Sequence, residues 1–368
     1  MYNGGMKAFE KHPQFLVRQA NPLNGGPPLS LLAQANVTPS ELFFVRSHGN
    51  TPTVHLSDYR FEIAGKVKQH LSFSLDELQH RFPAKTLPAT LQCAGNRREH
   101  MMAYRPIPNE LAWGSEAISH AVWTGVPLRE LLVAAGVVLE EGLHVEFVGL
   151  DETERLGQRF CFGGSIPLEK AFQAEVLLAY AMNDQPLAPV HGFPLRTIVP
   201  GYIGARSVKW LQRITVQPHP SENYFQSHAY RLFPPETTHQ NVDWETGLML
   251  GELSINSVIC TPTEGETVPA GEVKICGYTM AGGDRQVARV ELSIDNGETW
   301  MQAQLEGEAR RWVWQLWHIR LSLRPGIYSL VVRAMDTAAN VQPSDIRQIW
   351  NFKGYMNNAW DRVTIQVS

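Results

Sequence analysis

The stretch Thr90-Leu91-Gln92-Cys93-Ala94-Gly95-Asn96-Arg97-Arg98 sets a soft, ionisable sulfur beside two guanidinium groups. Neighbouring cations favour the thiolate, which is the form that binds a metal or attacks an electrophile. Ala94 and Gly95 are small enough for the backbone to turn closely past a bulky ligand. Cys93 is therefore a candidate reaction centre. The competing reading is a small buried hydrophobe, the usual fate of a free cysteine. A second polar constellation runs from His191-Gly192-Phe193-Pro194-Leu195-Arg196 through Ile198 to Trp210. Glycines spaced among His191, Arg196, Arg206 and Lys209 let backbone and cations approach an anion such as a phosphate; a solvated loop with chance basic residues is the alternative. A third lies in Glu41-Leu42-Phe43-Phe44-Val45-Arg46-Ser47-His48, read as an aromatic strand. Arg46 and His48, two apart in an extended segment, face the same way.

The elements that must position these groups follow from pattern. Residues before about Ser40 are rich in Asn, Gly, Pro and Gln and read as an extended arm. Ser74-Leu75-Asp76-Glu77 has capping-box spacing and opens a short helix, and Pro127 opens a second that stops at Gly136. His144 to Val148 alternates as a half-buried strand and delivers Asp151 to its end. Val176 to Met182 is another strand, closed by Asn183-Asp184. Trp113 and Trp123 sit beside glycines and read first as core. From about Ser254 short strands alternate with turns: Val273 to Tyr278, Ala288 to Ile294, Trp312 to Trp317 and Tyr328 to Ala334. Asp295-Asn296-Gly297 carries a strong hairpin signal. Together these make a β-sandwich of about 110 residues.

The chain has 368 residues, 43% of them hydrophobic and 18% charged, with a net charge of -4. That length implies two domains, and the scattered Lys and Arg give no nucleic-acid stripe. The four cysteines lie far apart with no C-x-x-C pair, which argues against a zinc ribbon or a disulfide framework. Met1 to Met6 carries neither a basic n-region nor an apolar h-region, and no run of about 18 apolar residues follows. The chain as written is expected to be cytoplasmic and off the membrane, or periplasmic if a leader has been removed.

The segment Leu91-Gln92-Cys93-Ala94-Gly95-Asn96-Arg97-Arg98 closely resembles the sulfite oxidase family, and the likeness extends in order from about Leu42 to the C-terminus. The resemblance implies an α+β architecture: a mixed α/β molybdopterin-binding domain (41–245) after an N-terminal arm (1–40), then an immunoglobulin-like β-sandwich for dimerisation (246–368). It implies a molybdenum pyranopterin dithiolene cofactor ligated by Cys93. Pterin and phosphate would be held by Phe44, Val45, Arg46, Ser47 and His48, by Asp151, by His191 and Arg196, and by Ser207, Val208 and Lys209. An oxyanion pocket would be formed by Arg46, Arg98, Trp113 and Tyr230, with Lys353 from Trp350-Asn351-Phe352-Lys353-Gly354. No fused haem domain is visible, which resembles plant and many bacterial members. Electrons would pass to a separate acceptor such as cytochrome c or oxygen, and the protein would be a homodimer.

Two departures stand out. The family's Arg-Asn-His is here Arg46-Ser47-His48, and its pocket arginine is Lys353. Lysine keeps the cation and loses the planar two-pronged donor. The expected reaction is oxidation of sulfite to sulfate. Reduction of nitrate or of a sulfoxide on the same fold is the alternative, and a non-catalytic binding protein, suggested by the sandwich, is the remote one.

Overall fold

The computed structural model describes residues 9–368; the expectations for Met1 to Met6 and for the beginning of the arm fall on residues 1–8, outside them. Two five-stranded sheets make up the N-terminal half. One runs Leu71–Phe73, Phe61–Gly65, Leu211–Gln217, His144–Arg155, Gln158–Pro167, with Leu211–Gln217 parallel to Phe61–Gly65 and the other pairs antiparallel. The other runs Gln185–Pro186, Leu177–Met182, Ile118–Pro127, Lys85–Gln92, with Arg196–Ile198 on the flank of Leu177–Met182. Phe61, Phe147, Ile214 and Leu131 lie in one core, and Ala121, Trp123, Leu177 and Ile198 in a second. Helices are few and short. Ser74 and Glu77 form the expected reciprocal cap on Leu75–Arg81, and Leu128–Ala135 ends at Gly136 in the left-handed region, where glycine carries no Cβ penalty.

The C-terminal half has two sheets around one core. Asn256–Thr261, Gly271–Met280, Gln315–Leu323 and Gln304–Leu305 form the first, and Thr267–Val268, Asp361–Val367, Gly326–Asp336, Val287–Ser293 and Met301–Gln302 the second. Ile275 and Trp317 from the first pack with Val290, Leu330 and Ile365 from the second. Leu32, Ile118, Val258, Tyr278 and Trp314 make a further apolar cluster joining the arm, the first half and the sandwich. Between Gly326–Asp336 and Asp361–Val367 the chain leaves the sandwich and returns to the first half, where Trp350 and Phe352 pack with Met101, Ile107 and Phe233. All four cysteines are free, and no helix among the described residues is long and apolar enough to cross a membrane.

Several local expectations are corrected. Glu41 to His48 is not a strand: Leu42 and Phe43 donate to Pro39 O, Phe44 donates to Ser119 Oγ at 3.0 Å, and Val45 pairs only with Gly25. Asp151 does not end its strand but sits within His144–Arg155, at an irregularity in the pairing between Val148 and Glu152; a bulge of this kind re-aims a side chain. Asp295-Asn296-Gly297 does not make a tight hairpin. The Asp295 carboxylate accepts from Glu298 N, Thr299 N and Thr299 Oγ1, so the loop is wide and pairing resumes only at Leu292 with Met301. The last tryptophan strand begins at Gln315, because Trp312 has φ +64°. The arm is more than an extended segment: Leu16–Gln19 pairs with Asn24–Gly26, followed by a short helix, Leu29–Leu32.

Candidate active site

Strand Lys85–Gln92 delivers Cys93 to the junction of the two halves. Gln92 Oε1 accepts from Asn256 Nδ2 at 2.9 Å, Cys93 N donates to Ala117 O at 2.9 Å, and Met356 N donates to Ala94 O at 2.8 Å. Asn96 Nδ2 donates to Tyr278 Oη at 2.9 Å. The thiol turn is thus fixed from both sides by hydrogen bonds that cross the domain junction. Gly95 N reaches Cys93 Sγ at 3.4 Å. Arg97, expected to lie beside the thiol, turns away instead. Its guanidinium meets Asp361 Oδ1 at 3.0 Å and Ala359 O at 2.7 Å.

Cys93 is buried yet lines a pocket at this junction. Phe44, Val45, Arg46, Ser47, His48, Asp151, His191, Arg196, Ser207, Lys209 and Tyr230 line the same cavity, so residues far apart in sequence converge on the sulfur. Val208 does not line it and is a core residue. Arg98, Trp113 and Lys353 also stand outside the lining.

On one wall the hydrogen-bond donors run in a single direction. Arg46 Nη2 lies 3.1 Å from His48 Nδ1, and His48 Nε2 lies 2.9 Å from Tyr230 Oη. Guanidinium can only donate, so Nδ1 accepts and Nε2 carries the hydrogen. Tyr230 Oη therefore accepts from His48, and its own hydrogen is free to point at a ligand. Burial, with Arg46 next, holds the His48 imidazolium well below its usual range, so the ring is neutral. Burial pushes the Tyr230 phenol up to about 12, keeping it a donor. Asn24, in the arm, fastens this wall: its Oδ1 accepts from Ser47 N at 2.8 Å and Arg46 Nη1 at 3.2 Å. No pattern in the sequence marked Asn24.

The opposite end is dense in cations and poor in anions. Arg196 donates to His191 O at 2.9 Å and Ser207 O at 3.1 Å, and Lys209 Nζ donates to Ser47 Oγ at 2.6 Å and Val190 O at 3.1 Å. Among the described residues neither meets a carboxylate in an ion pair. Burial lowers the Arg196 guanidinium to about 9, and burial together with Arg196 pulls the Lys209 ammonium well down. The one acid in the lining, Asp151, is pushed up to about 7 by burial, and its Oδ1 has no hydrogen-bond partner. Buried polar atoms are nearly always satisfied. An unpartnered acceptor beside unneutralised cations is the mark of a site that takes a ligand with both N–H donors and negative charge.

Arg98 and Lys353 form a layer behind Tyr230. Arg98 Nε donates to Lys353 O at 3.0 Å and Nη1 to Leu111 O at 2.8 Å, while Lys353 Nζ is paired with Glu110. Glu110 Oε2 is also 3.7 Å from Arg98 Nη2. A Cβ on Gly95 would fall 2.6 Å from Arg98 Nη2, and one on Gly354 2.5 Å from Arg98 Cγ, so both glycines are needed for this arginine to pass. Tyr355 stacks on Tyr230 with ring centroids 5.2 Å apart. Sequence reasoning overlooked Glu110 and Tyr355. Trp113 is fully buried in the cluster that contains Cys93, and its indole N–H has no partner.

Residues 48–225 match the family model described as the oxidoreductase molybdopterin binding domain, and residues 248–368 match the Mo-co oxidoreductase dimerisation domain. Human mitochondrial sulfite oxidase is 43% identical over 368 residues, covering 97% of this chain and 67% of that protein. The chain belongs to the sulfite oxidase family. Arabidopsis thaliana sulfite oxidase is 35% identical over 379 residues, covering 97% of this chain and 95% of that protein. The crystal structure of the sulfane dehydrogenase SoxCD from Paracoccus pantotrophus superimposes with a TM-score of 0.78 at 26% identity, covering 98% of this chain and 90% of that one.

Membership makes the protein a molybdopterin-dependent oxidoreductase, and the side chains present fit that cofactor. Cys93 is the one soft side-chain donor in the cavity lining, suited to a soft metal whose other donors come from its own organic ligand. The unpartnered Asp151 Oδ1 suits a ring N–H, and the unneutralised cations suit a phosphate.

Proposed function

We propose that this chain oxidises sulfite to sulfate, with Cys93 as the protein ligand to molybdenum. Sulfite and water become sulfate, two protons and two electrons, and the electrons pass to a separate acceptor such as cytochrome c or oxygen. The observation that carries the reading is the convergence on one cavity of the Cys93 sulfur, the Arg46–His48–Tyr230 chain and a cationic far end. Bound there, the molybdenum pyranopterin supplies two-electron oxygen-atom chemistry.

The chain's own residues do the positioning. His191, Arg196, Ser207 and Lys209 would hold the phosphate, Asp151 would accept from the pterin, and Phe44, Val45 and Ser47 would shape the slot, with Val208 packed in the core rather than in the lining. Tyr230 points its free hydroxyl hydrogen at an oxygen of the substrate, held in that direction by His48. Arg46 supplies positive charge at the same wall, where a water-poor setting strengthens it. Arg98 and Lys353 add positive potential from behind Tyr230 and Tyr355, and Trp113 packs in the buried cluster that holds Cys93, outside the lining. Residues 41–245 act as the catalytic unit. Residues 246–368, read as an immunoglobulin-like sandwich, pair two copies into a homodimer.

A substrate panel on metal-replete protein tests the reading. Sulfite-dependent reduction of ferricyanide or cytochrome c is expected. Turnover only as nitrate- or sulfoxide-dependent oxidation of a reduced dye would refute it in favour of the reductase reading, which Lys353 in place of arginine motivates. Cys93→Ser should cut turnover by more than the roughly 10–100-fold typical of losing an outer partner of a metal ligand, while pterin stays bound. Retained turnover would remove Cys93 from the mechanism.

A further inference from the structure

Lys11 is a half-buried cation that the N-terminal arm sets against His191, a residue lining the far end of the cavity, and nothing in the mechanism above uses it. Its Nζ lies 2.6 Å from Phe43 O, 3.1 Å from Ser40 O and 3.0 Å from His191 Nε2. An ammonium has three hydrogens and no acceptor, so these three contacts use all of its donors. Among the described residues no carboxylate pairs with it; Glu41 acts on it only from a distance.

The consequence falls on His191. Among the described residues Nε2 is the ring nitrogen that has partners, being 3.0 Å from both Lys11 Nζ and Ser40 O. Nε2 has two competing partners: it can accept from Lys11 or donate to Ser40 O, and a charged Lys11, whose third hydrogen has no other acceptor, selects the first. A neutral imidazole that accepts at Nε2 carries its hydrogen on Nδ1. Burial, with Lys11 next, keeps the ring neutral. The edge-on rings of Phe43 at 5.5 Å and Phe9 at 5.6 Å, the latter also from the arm, limit its rotation.

We propose that Lys11 is a positioning residue of the cofactor site: by donating to His191 Nε2 it fixes the tautomer that presents Nδ1–H to the phosphate end of the cavity. The inference rests on the molybdopterin reading of that cavity. Were Lys11 uncharged, its lone pair could accept from Nε2–H and the ring would present a bare acceptor to an anion. Lys11 therefore decides whether His191 attracts or repels the phosphate, and the arm is part of the binding site.

The test uses full-length protein from a cofactor-competent host, as wild type, Lys11→Met and Lys11→Arg. Long-range proton–nitrogen correlation spectra, with His191→Gln for assignment, report the His191 tautomer. Molybdenum and pterin per chain are followed over time after gel filtration. In wild type, Nε2 should appear as the unprotonated nitrogen. Lys11→Met should lose that signature and release pterin about 10–100 times faster, as for other outer partners; Lys11→Arg should restore both. A wild-type spectrum with the hydrogen on Nε2, which needs no variant to fold, would overturn the proposal. So would unchanged His191 signals and pterin retention in Lys11→Met. Wild type lacking pterin altogether would instead overturn the cofactor reading on which it stands.

Discussion

Arg97 and Arg196 are both buried arginines, close to the thiol turn and to the far end of the cavity respectively, and they are treated oppositely. Arg97 crosses the domain junction to Asp361, whose second oxygen accepts from Ile259 N at 2.9 Å. Arg196 has backbone carbonyls and no carboxylate, with Lys209 near enough to disfavour a second charge and His191 held neutral beside it. Burying an unpaired charge costs several kcal/mol. A fold that pairs one cation with a carboxylate and leaves a group of others short of anions is reserving the second region for a ligand that brings its own negative charge. The junction is structural electrostatics, and the cavity end is electrostatics held for binding.

The sharpest way to break this comparison is to remove the anion at the junction. Asp361→Ala leaves Arg97 buried and uncompensated, and should destabilise the protein by about 3–5 kcal/mol, read as a fall in Tm and in denaturation midpoint. Pterin retained by the folded fraction should be unchanged. A loss below about 1 kcal/mol would mean that water reaches the junction and that Arg97 is no different from Arg196.

Much of the cavity was legible in the sequence because its chemistry is written in rare residue types. The cysteine, and glycines spaced among His191, Arg196 and Lys209, state a donor set whatever the path of the chain, whereas the two arginines after Cys93 turn out of the lining. What was not legible depends on that path. Asn24 and Lys11 sit in a segment whose composition says only that it is irregular, and their roles come from which carbonyls and ring nitrogens the arm happens to cover. Glu110 hides among loop residues and gains meaning only when Lys353 arrives from the other half. The Asp295-Asn296-Gly297 turn misled for a related reason: an aspartate able to collect three donors outweighs the local turn preference of Asn-Gly. The capping box at Ser74 was read correctly because every partner in it is local.

At the cavity the comparison predicts the opposite sign. Lys209→Met removes an ammonium that burial and Arg196 already disfavour and that has no ion-pair partner among the described residues, and it keeps most of the volume, so the cofactor-free protein should be unchanged or more stable by about 1 kcal/mol, even as pterin retention falls. Thermal melts of cofactor-free and loaded protein check both halves; destabilisation of the free form would show that Lys209 is already neutralised. A pH dependence follows from Lys11. Burial lowers its ammonium from 10.5 to about 7, so in the free protein the charge is present below pH 7 and lost as pH rises through that value. Anion binding favours the charged form. Affinity of the free protein for inorganic phosphate, measured calorimetrically, should therefore fall between pH 6 and 8 with proton uptake on binding, and Lys11→Met should flatten that slope.

The smallest effect is expected where the two regimes meet. Glu110 pairs with Lys353 and stands 3.7 Å from Arg98, so one acid partly neutralises the cations behind Tyr230. Glu110→Gln keeps the shape, retains an acceptor for Lys353 and raises the local charge by one. At the separations within this layer, in a partly solvated setting, one charge changes anion binding by about 1 kcal/mol, or about fivefold. Inhibition by sulfate should tighten by that factor and weaken with added salt, while the turnover number changes less than KM. If sulfate inhibition is unaltered and only the turnover number falls, Glu110 holds Lys353 and Arg98 in place without setting the potential seen by the substrate.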